Sequence, residues 1–497
     1  MSTSTARRDA AADSNRWAVL ALLGVAQLMV VLDATIVNIA LPSAQRALHF
    51  STDSRQWVIT AYALSFGSLL LVGGKLGDLF GRKWTFVAGL IGFSVASAIG
   101  GLAQSFGMLV GARALQGAFG ALLAPSALGL LTVTFQGSRD RAKAFGIFSA
   151  IAGGGASFGL LLGGVLTQAI SWRWCLYVNL AIAVPAAVMA LRLLHNRSQP
   201  QRPRIDLPGV AVASAGLFAL VYGFSNAETS SWSDPVTILA LSASAILLVG
   251  FVGLERRVTS PLLPLHIVSD RARGGAYAAI ALAGSAVFGV FLFLTYYMQQ
   301  NLGFSPLATG AGFLPMTAMI VLTATTVQTR VLHRTGAKPL VLGGMTIGLI
   351  AMILLTRLSP HGSYVGQVLP GLLLTGLAMG CIFAPAFSTA TLGVKSTDAG
   401  IASAMVNTSQ QVGGSVGTAL LSTIFASATA GYVSAHTKAA GLAGAAAIHG
   451  YTTAFEWAAG LFGLGLLVAL LILPSDGAAR ARSATAQAEL ALSPERA

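Results

Sequence analysis

Fourteen predominantly apolar runs, each about 20 residues long or longer, follow one another along the 497-residue chain. An α-helix rises 1.5 Å per residue, so about 20 residues span a hydrocarbon core of roughly 30 Å. Only 9% of the residues are charged, against roughly 25% in a typical soluble domain. The sequence therefore predicts an all-α polytopic membrane protein with fourteen transmembrane helices, and it excludes a soluble enzyme.

The runs fall into a 6+2+6 arrangement. Two basic, proline-containing stretches, residues 195–206 and 255–273, bracket the seventh and eighth runs and are typical of linkers. A basic turn at 79–83 recurs at 334–338, which supports repeated six-helix halves. A turn that only anchors the topology explains it equally well. The predicted segments are a cytoplasmic tail (1–16), an N-terminal six-helix bundle (17–195), a linker with two extra transmembrane helices (196–273), a C-terminal six-helix bundle (274–473) and a disordered cytoplasmic tail (474–497).

The distribution of positive charge predicts the orientation. Placing the N-terminus in the cytoplasm puts 24 of the 30 Lys and Arg residues on that side and five in the outer loops. Positive residues accumulate on the cytoplasmic side of membrane proteins, so both termini are predicted to be cytoplasmic. Topology then accounts for the net charge of +14, which gives no indication of a nucleic-acid partner. Cys175 and Cys381 lie at or inside predicted spans and offer neither a disulfide framework nor a metal-binding spacing.

Three charged residues lie well inside the apolar runs: Asp33, Arg113 and Glu456. Each costs roughly 2.5 to 3.5 kcal/mol at the centre of a transmembrane helix on insertion scales. Counted at 1.5 Å per residue from the outer ends of their helices, Asp33 and Arg113 both lie ~12 Å below the outer surface. We therefore predict that these two residues form a pair.

Two interpretations of this pair stay open. In the first, Asp33 alternates between binding a proton and binding Arg113, because separating the charges leaves the carboxylate without its cation and favours proton uptake. In the second, the pair is a permanent structural contact. Gln116, Gly117 and Gly120 share the helix face of Arg113. Such a stripe of polar and small residues lets a second helix or water come close.

Four motifs, in order along the chain, resemble those of one family of membrane proteins. Residues 32–42 (LDATIVNIALP) resemble the helix 1 signature of the fourteen-helix drug/proton antiporter branch of the major facilitator superfamily, and residues 400–419 resemble its helix 13 pattern. Residues 74–83 (GKLGDLFGRK) resemble the superfamily's motif between helices 2 and 3, and residues 113–117 (RALQG) its helix 4 motif. The resemblance spans both halves of the chain and implies the major facilitator fold.

The motif between helices 2 and 3 is expected to form a cytoplasmic latch. Its glycines allow a tight turn, and Asp78 ends helix 2 among basic residues that include Lys75. In the superfamily this element locks the outward-facing state, and the resemblance implies the same here. The alternative, a positively charged turn with a capping carboxylate, explains the bases but explains Asp78 and the glycines poorly. The predicted latch residues are Gly74, Gly77, Asp78, Gly81, Arg82 and Lys83.

Glycines along helix 5 predict close helix packing. Gly155, Gly159 and Gly163 recur every fourth residue and are followed by Gly164. The segment resembles the antiporter motif of the branch, with Leu160 at the position of its proline. Because that proline is part of the motif's usual argument for antiport, a proton-coupled importer or facilitator of the same fold stays open as an alternative.

The candidate residues of a substrate cavity are polar or aromatic: Gln116, Tyr296, Gln299, Asn407, Gln410 and Gln411. Aromatic belt positions and polar contacts between helices are the alternative explanation. Glu456, near the outer end of helix 14, is a candidate second proton or cation site, or a carboxylate that reaches the membrane surface. At most two carboxylates lie in the membrane, so the sequence favours a lipophilic monocation or a neutral or weakly acidic compound over a dication.

The residues and the resemblance together predict a proton-coupled secondary transporter of the bacterial inner membrane. It is expected to export amphipathic drugs, antibiotics or a secondary metabolite by alternating access, as a monomer in the lipid bilayer. It is expected to be no enzyme and to need neither a metal nor a cofactor beyond the proton gradient. The sequence has no P-loop, which argues against a nucleotide as the energy source. A membrane sensor that keeps the fold without transport is a further alternative.

Overall fold

The structure of the protein is a computed structural model. It describes residues 2–50, 56–135, 138–194, 206–258, 261–360, 362–394, 398–436 and 442–474, which are helical apart from short connections. The first eight long helices are α1 (Ser2–Leu48), α2 (Gln56–Phe80), α3 (Arg82–Gly101), α4 (Phe106–Thr134), α5 (Ser138–Ala169), α6 (Trp174–Leu193), α7 (Leu207–Thr229) and α8 (Pro235–Glu255).

Six further main helices follow: α9 (Arg271–Tyr296), α10 (Leu314–Thr326), α11 (Ala337–Leu355), α12 (Leu369–Thr391), α13 (Ala399–Ala435) and α14 (Leu442–Ile472). Short α-helical segments adjoin α9 and α10: Leu265–Ser269, Pro306–Gly312 and Leu332–Thr335. Single π-helical turns extend α9, α10 and α12: Tyr297–Asn301, Val327–Val331 and Tyr364–Val368. These segments lengthen the main helices to the dimensions of a bilayer.

The helices coincide with the fourteen apolar runs, and thirteen of them are long and apolar enough to cross a membrane; α5 is outside that set. The prediction of an all-α polytopic membrane protein is thereby confirmed. The count of fourteen spans, the cytoplasmic termini and the domain boundaries stay predictions. α1 begins at Ser2, so the segment predicted as an N-terminal tail continues the first helix. Residues 195–205 of the first linker and residues 475–497 of the C-terminal tail lie outside the described residues.

The two six-helix bundles repeat one packing scheme. In the N-terminal bundle α1 packs on α5 and α6, α4 packs on α2 and α3, and α3 contacts α6. The C-terminal bundle has the equivalent contacts, with α9 on α13 and α14, α12 on α10 and α11, and α11 against α14. The repeat suggested by two short turns therefore extends over six helices in each half.

Glycine permits a close helix crossing in each bundle. A Cβ atom at Gly159 of α5 would lie 2.9 Å from the carbonyl oxygen of Leu32 in α1. In the other bundle, a Cβ atom at Gly413 of α13 would overlap the carbonyl group of Ala281 in α9. Ser285 of α9 also donates a hydrogen bond to the Gly413 carbonyl at 2.7 Å. Small residues at such crossings let backbones approach, which is the main source of helix association in lipid.

The extra helix α7 bridges the two bundles. It contacts α2 of the first bundle and α13 of the second. The hydroxyl oxygens of Ser225 in α7 and Thr60 in α2 lie 3.0 Å apart. Trp232, in the turn after α7, donates from Nε1 to Thr423 of α13 at 2.9 Å. α8 packs chiefly on α7 and exposes apolar side chains such as Leu239, which is 70% exposed.

The packing at Gly413 predicts a stability effect. We expect Gly413→Ala to destabilise the protein by about 1 to 3 kcal/mol, because the new Cβ atom forces α9 and α13 apart. The measurement is the thermal unfolding midpoint of the detergent-solubilised protein, monitored by size-exclusion chromatography after heating. Gly431→Ala on the same helix is the matched control, since no described atom lies within 4 Å of a Cβ there. Equal midpoints for the two variants would contradict the packing argument.

Candidate functional site

Asp33 of α1 and Arg113 of α4 meet inside the N-terminal bundle. Nη1 of Arg113 lies 2.6 Å from Oδ2 of Asp33, and the two side chains are 2% and 0% exposed. Both charges have lost their hydration, so each depends on the other and on neighbouring hydrogen bonds. The structure thus brings together the two residues that were expected at one depth.

Two side-chain amides complete the surroundings of the Asp33 carboxylate. Gln116 Nε2 and Asn179 Nδ2 each donate to Asp33 Oδ1 at 2.7 Å. The same two nitrogens also lie 3.2 and 3.0 Å from the hydroxyl oxygen of Ser97. The Gln116 carbonyl accepts from Arg113 Nη1 at 2.6 Å. The carboxylate is therefore surrounded by hydrogen-bond donors from α4 and α6.

The remaining sides of the Arg113 guanidinium face α2. Nε donates to the Val58 carbonyl at 3.3 Å, and Cζ lies 4.4 Å from the centroid of the Tyr62 ring. This is a cation–π distance. A Cβ atom at Gly117 would overlap the Tyr62 carbonyl, so the small residues beside Arg113 serve the close approach of α2.

Apolar side chains cover the pair on the side predicted to face outward. A cavity of about 10 Å³ touches Arg113, which is roughly the room that one water molecule needs. Arg113 is the charged group in its wall. The other lining residues are apolar: Val37, Ala40, Leu41, Ala44, Val58, Leu109, Trp172 and Leu176.

Asn179 and Ser97 were missed from the sequence as members of this site. Both are fully buried neutral polar residues, and polar side chains of this kind are common between transmembrane helices. One signal was available, because Asn179 lies six residues after the polar start of α6 at Arg173, within an apolar stretch. A count of uncharged amides facing the predicted pair would have included it.

Asp78 joins the two bundles at the end predicted to be cytoplasmic. Arg82 Nη2 donates to Asp78 Oδ1 at 2.7 Å, and the backbone N–H of Gly400 donates to the same oxygen at 3.1 Å. Gly400 lies in the first turn of α13, where the helix dipole favours a negative charge. A Cβ atom at Gly74 would lie 2.7 Å from the Gly400 oxygen, so glycine lets α2 approach α13. The latch contact therefore joins a carboxylate to a helix N-terminus across the two halves.

The structure corrects the expected basic partners of Asp78. Lys83 Nζ donates to the Leu191 carbonyl at 2.9 Å, at the C-terminal end of α6. Lys75 Nζ donates to the Pro261 carbonyl at 3.0 Å, in the segment that follows α8. Both ammonium groups therefore donate hydrogen bonds to backbone carbonyls and not to the carboxylate. Of the three bases, Arg82 is the one that contacts Asp78 in the structure.

The two other latch glycines, Gly77 and Gly81, serve the structure of the N-terminal bundle. Gly81 connects α2 to α3 with a φ angle of 92°, which a residue with a side chain rarely adopts. A Cβ atom at Gly77 would lie 3.4 Å from the hydroxyl oxygen of Ser126 in α4, so this glycine packs within the N-terminal bundle. Among the described residues, the Cβ contacts of Gly77 all lie within its own bundle.

Arg141 forms a second contact between the bundles at the same end. It lies in the first turn of α5, is 7% exposed, and donates from Nη2 to Thr391 Oγ1 of α12 at 2.8 Å. Its guanidinium carbon lies 4.4 Å from the centroid of the Phe145 ring. The positive-inside rule alone accounts for an Arg at this position, so the sequence gives no separate signal for the contact.

The glycines of helix 5 have two different partners. Gly164 faces the second bundle, with a Cβ position 3.7 Å from Leu307. The side chain of Leu160 lies outside the described residues, although the backbone there is helical. α1 lies against the other three glycines: Gly155, Gly159 and Gly163.

The candidate cavity residues do not form one cluster in the part of the chain that the structure describes. Gln116 belongs to the Asp33 network. Asn407 is buried and donates to the Ser403 carbonyl at 3.0 Å, one turn earlier. Tyr296 is exposed, and no hydrogen bond or ring contact among the described residues joins any two candidates. Their binding role stays a prediction. The half-buried candidates are Gln299, Gln410 and Gln411.

Glu456 is exposed on α14, next to the exposed side chain of Trp457. Within the described residues no basic side chain forms an ion pair with it. Its role as a second proton or cation site stays a prediction, and the alternative of a carboxylate at the membrane surface is equally compatible with this exposure.

The family model described as the Major Facilitator Superfamily matches residues 23–418, which extend from α1 into α13. The chain belongs to the major facilitator superfamily. This superfamily member is 47% identical over 426 residues to the puromycin resistance protein of Streptomyces alboniger, with 85% of this chain and 84% of the relative covered. It is 38% identical over 415 residues to the cephamycin export protein of Amycolatopsis lactamdurans, with 83% and 85% covered.

A solved structure shows the same fold. The human organic anion transporter MFSD10 matches with a TM-score of 0.62 over 91% of this chain and 99% of the other, at 15% identity. The superfamily fold expected from the four motifs is therefore confirmed. The protein is a multi-pass member of a transporter family in the bacterial inner membrane.

The contact of Asp78 with Gly400 predicts how one substitution changes this transporter. Asp78→Asn removes the charge that binds Arg82 and the α13 N-terminus, so we expect the cytoplasmic end to open more often, by about tenfold. Electron–electron distance measurements between spin labels at Arg192→Cys and Arg334→Cys, in a protein without its two native cysteines, report the separation of the bundles.

Lys83→Gln provides the matched control for this measurement. It removes a charge from the same loop, but its ammonium contacts α6 of its own bundle. The distance distribution of this control should match that of the parent. An Asp78→Asn distribution equally close to the parent would show that the contact does not hold the end closed.

Proposed function

We propose that this transporter uses the proton gradient to export an amphipathic drug, antibiotic or secondary metabolite by alternating access. The observation that carries the proposal is the fully buried Asp33–Arg113 pair, an acid that can exchange a cation for a proton inside the membrane. Relatives covering most of the chain and named for antibiotic resistance or export support the direction of transport.

The proton acts on the ion pair. A proton that arrives from the outside binds Asp33 and neutralises it, so the attraction to Arg113 is lost. The small cavity beside Arg113 is lined by apolar residues of α1, α2, α4 and α6 and lies on the side predicted to face outward, so we propose that the proton approaches from there. Breaking a buried pair costs about 3 to 5 kcal/mol when one charge is left alone, so protonation has enough free energy at stake to shift a conformational equilibrium.

Helix α5 connects the ion pair with the cytoplasmic end. Gly159 of α5 packs on α1 directly beside Asp33. Nearer the cytoplasmic end, a Cβ atom at Gly146 would lie 3.0 Å from the Cβ atom of Gln328, in the second bundle. Movement of α1 after proton uptake therefore acts on a helix that helps to close the cytoplasmic side. In the proposed cycle this side opens, releases the proton and takes up substrate, and the return releases substrate outside.

The substrate class follows from the charges that are already satisfied. Asp33 is bound to Arg113, and Asp78 to Arg82 and the α13 N-terminus, so neither carboxylate is available to a second positive charge on a substrate. We propose a lipophilic monocation or a neutral or weakly acidic amphipathic compound. The proposed transporter works as a monomer, needs no cofactor beyond the proton gradient and performs no catalytic reaction.

Substitution of Asp33 tests the proposal. In a pump-deficient bacterial host, a panel of puromycin, cephamycin, lincomycin and cationic dyes identifies a compound that the parent excludes. We expect Asp33→Asn to abolish proton-driven accumulation of that compound in everted vesicles, at parental expression, because an amide cannot exchange a proton for the guanidinium. An uncoupler should remove the parental activity to the same extent.

Glu456→Gln is the matched control, since it neutralises the other intramembrane carboxylate predicted from the sequence, which is exposed and lies outside the Asp33 network. Parental accumulation by this variant would leave proton coupling to Asp33 alone, whereas its loss would support the predicted second proton site at Glu456. Undiminished accumulation by Asp33→Asn would refute proton coupling through this residue. Uncoupler-sensitive accumulation by whole cells, instead of exclusion, would indicate an importer.

A further inference from the structure

Among the described residues, no hydrogen-bond partner of the Asp33 carboxylate is an acceptor for a proton on that group. Its three hydrogen-bond partners are Arg113 Nη1, Gln116 Nε2 and Asn179 Nδ2, and all three donate. A protonated carboxyl group carries an O–H that must itself donate. A buried O–H without an acceptor is costly. Asp33 can therefore hold a proton inside this bundle only if a neighbour becomes an acceptor.

Gln116 cannot become this acceptor without losing its hydrogen bond from Arg113. Its carbonyl oxygen accepts from Arg113 at 2.6 Å. Turning this amide over would point its NH₂ group at the guanidinium, so two donors would face each other. The Ser97 hydroxyl, which donates to the Leu176 carbonyl at 2.8 Å, contacts the two amides.

Asn179 has an unused acceptor at this site. Its side chain is 0% exposed, and its Oδ1 has no hydrogen-bond partner among the described residues. A half-turn of the amide exchanges Oδ1 with Nδ2. It breaks no bond to the present Oδ1, and it ends the two contacts that Nδ2 makes with Asp33 Oδ1 and Ser97 Oγ. Oδ1 then occupies the present place of Nδ2, which is 2.7 Å from Asp33 Oδ1 and 3.0 Å from Ser97 Oγ.

We propose that Asn179 is a positioning residue for proton exchange, whose amide donates to the charged Asp33 and, turned over, accepts from the protonated one. The proton binds Asp33 Oδ1 and the ion pair with Arg113 breaks. The Ser97 hydroxyl leaves the Leu176 carbonyl, to which it now donates, and donates to the turned Asn179 carbonyl. This inference rests on the proposed function, because it requires that Asp33 takes up protons.

The other titratable groups that face Asp33 are Arg113 of α4, Tyr62 of α2 and Cys175 of α6. The neighbouring parts of α3 and α5 contribute Ser97 and Gly159, which do not titrate. Phenols, thiols and guanidinium groups ordinarily release protons above neutral pH. A carboxyl signal that appears in mildly acidic solution and needs Asp33 therefore reports on Asp33 itself.

Infrared difference spectroscopy of the full-length protein in lipid vesicles tests the proposal without transport. The carboxyl C=O band that appears between neutral and acidic pH in the parent, and is missing in Asp33→Asn, belongs to protonated Asp33. We expect Asn179→Leu to move this band to higher frequency, because the O–H has lost its acceptor. Asn179→Ser should keep the band near its parental frequency, since a hydroxyl can donate or accept at the same oxygen.

The pH midpoint of the band separates a switching amide from a fixed donor. Gln116→Leu removes a donor to the charged form alone, so its midpoint should rise by about one pH unit or more. Asn179→Leu removes support from both forms, so its midpoint should move by less than half of that shift. Thermal unfolding midpoints near that of the parent confirm that the variants are folded.

Each outcome has one meaning. An Asn179→Leu protein with an unchanged band frequency, or with a midpoint shifted as far as in Gln116→Leu, would make Asn179 a fixed donor and overturn this inference alone. A parental spectrum whose carboxyl bands all persist in Asp33→Asn would show that Asp33 takes up no proton, and the proposed function would fail together with the inference.

Discussion

The arrangement of the N-terminal bundle depends on the carboxylate of Asp33, which is fully buried. Asp33 is tolerated there because Arg113 neutralises it, but that alone would leave other polar atoms unsatisfied. The bundle supplies the rest from several helices: the Val58 carbonyl from α2, Ser97 from α3 and Asn179 from α6. Together with the glycine face of α5, each of the six helices of this bundle contributes to a single site. A change in the charge of Asp33 therefore alters contacts of all six helices.

The sequence was sufficient for the fold and for the charged centre of the site, for a physical reason. Charges inside apolar runs are rare and expensive, so Asp33 and Arg113 stood out, and their depths along two helices agreed. Asn179 carries no charge and gave no comparable signal. Arg141 is hidden for the opposite reason, since a positive residue at a cytoplasmic helix end needs no further explanation. The partner of Asp78 in the second bundle is the backbone N–H of Gly400. Every residue except proline has such a group, so the sequence cannot single it out.

The two halves share a scaffold but differ in chemistry. The close pair α1–α5 has its counterpart in α9–α13, with glycines at both crossings. In the second pair, a serine hydroxyl on Ser285 bonds to the Gly413 carbonyl. Glycine spacing could be read from the sequence, and it predicted close packing on helix 5. The buried acid and its network lie in the first half. Among the described residues, the two halves therefore share this close glycine crossing, while the buried Asp33–Arg113 pair belongs to the first half.

The bridging position of α7 has a consequence for how the protein meets the lipid. α7 lies against both α2 and α13, which it contacts through Ser225 and the turn at Trp232, so it covers the junction of the two bundles on this flank. An oily compound dissolved in the bilayer therefore meets a barrier on this flank. On the opposite flank α5 packs against α10, and neither α7 nor α8 packs there in the described chain. The two extra helices thus cover one of the two lipid-facing flanks between the bundles and leave the other uncovered.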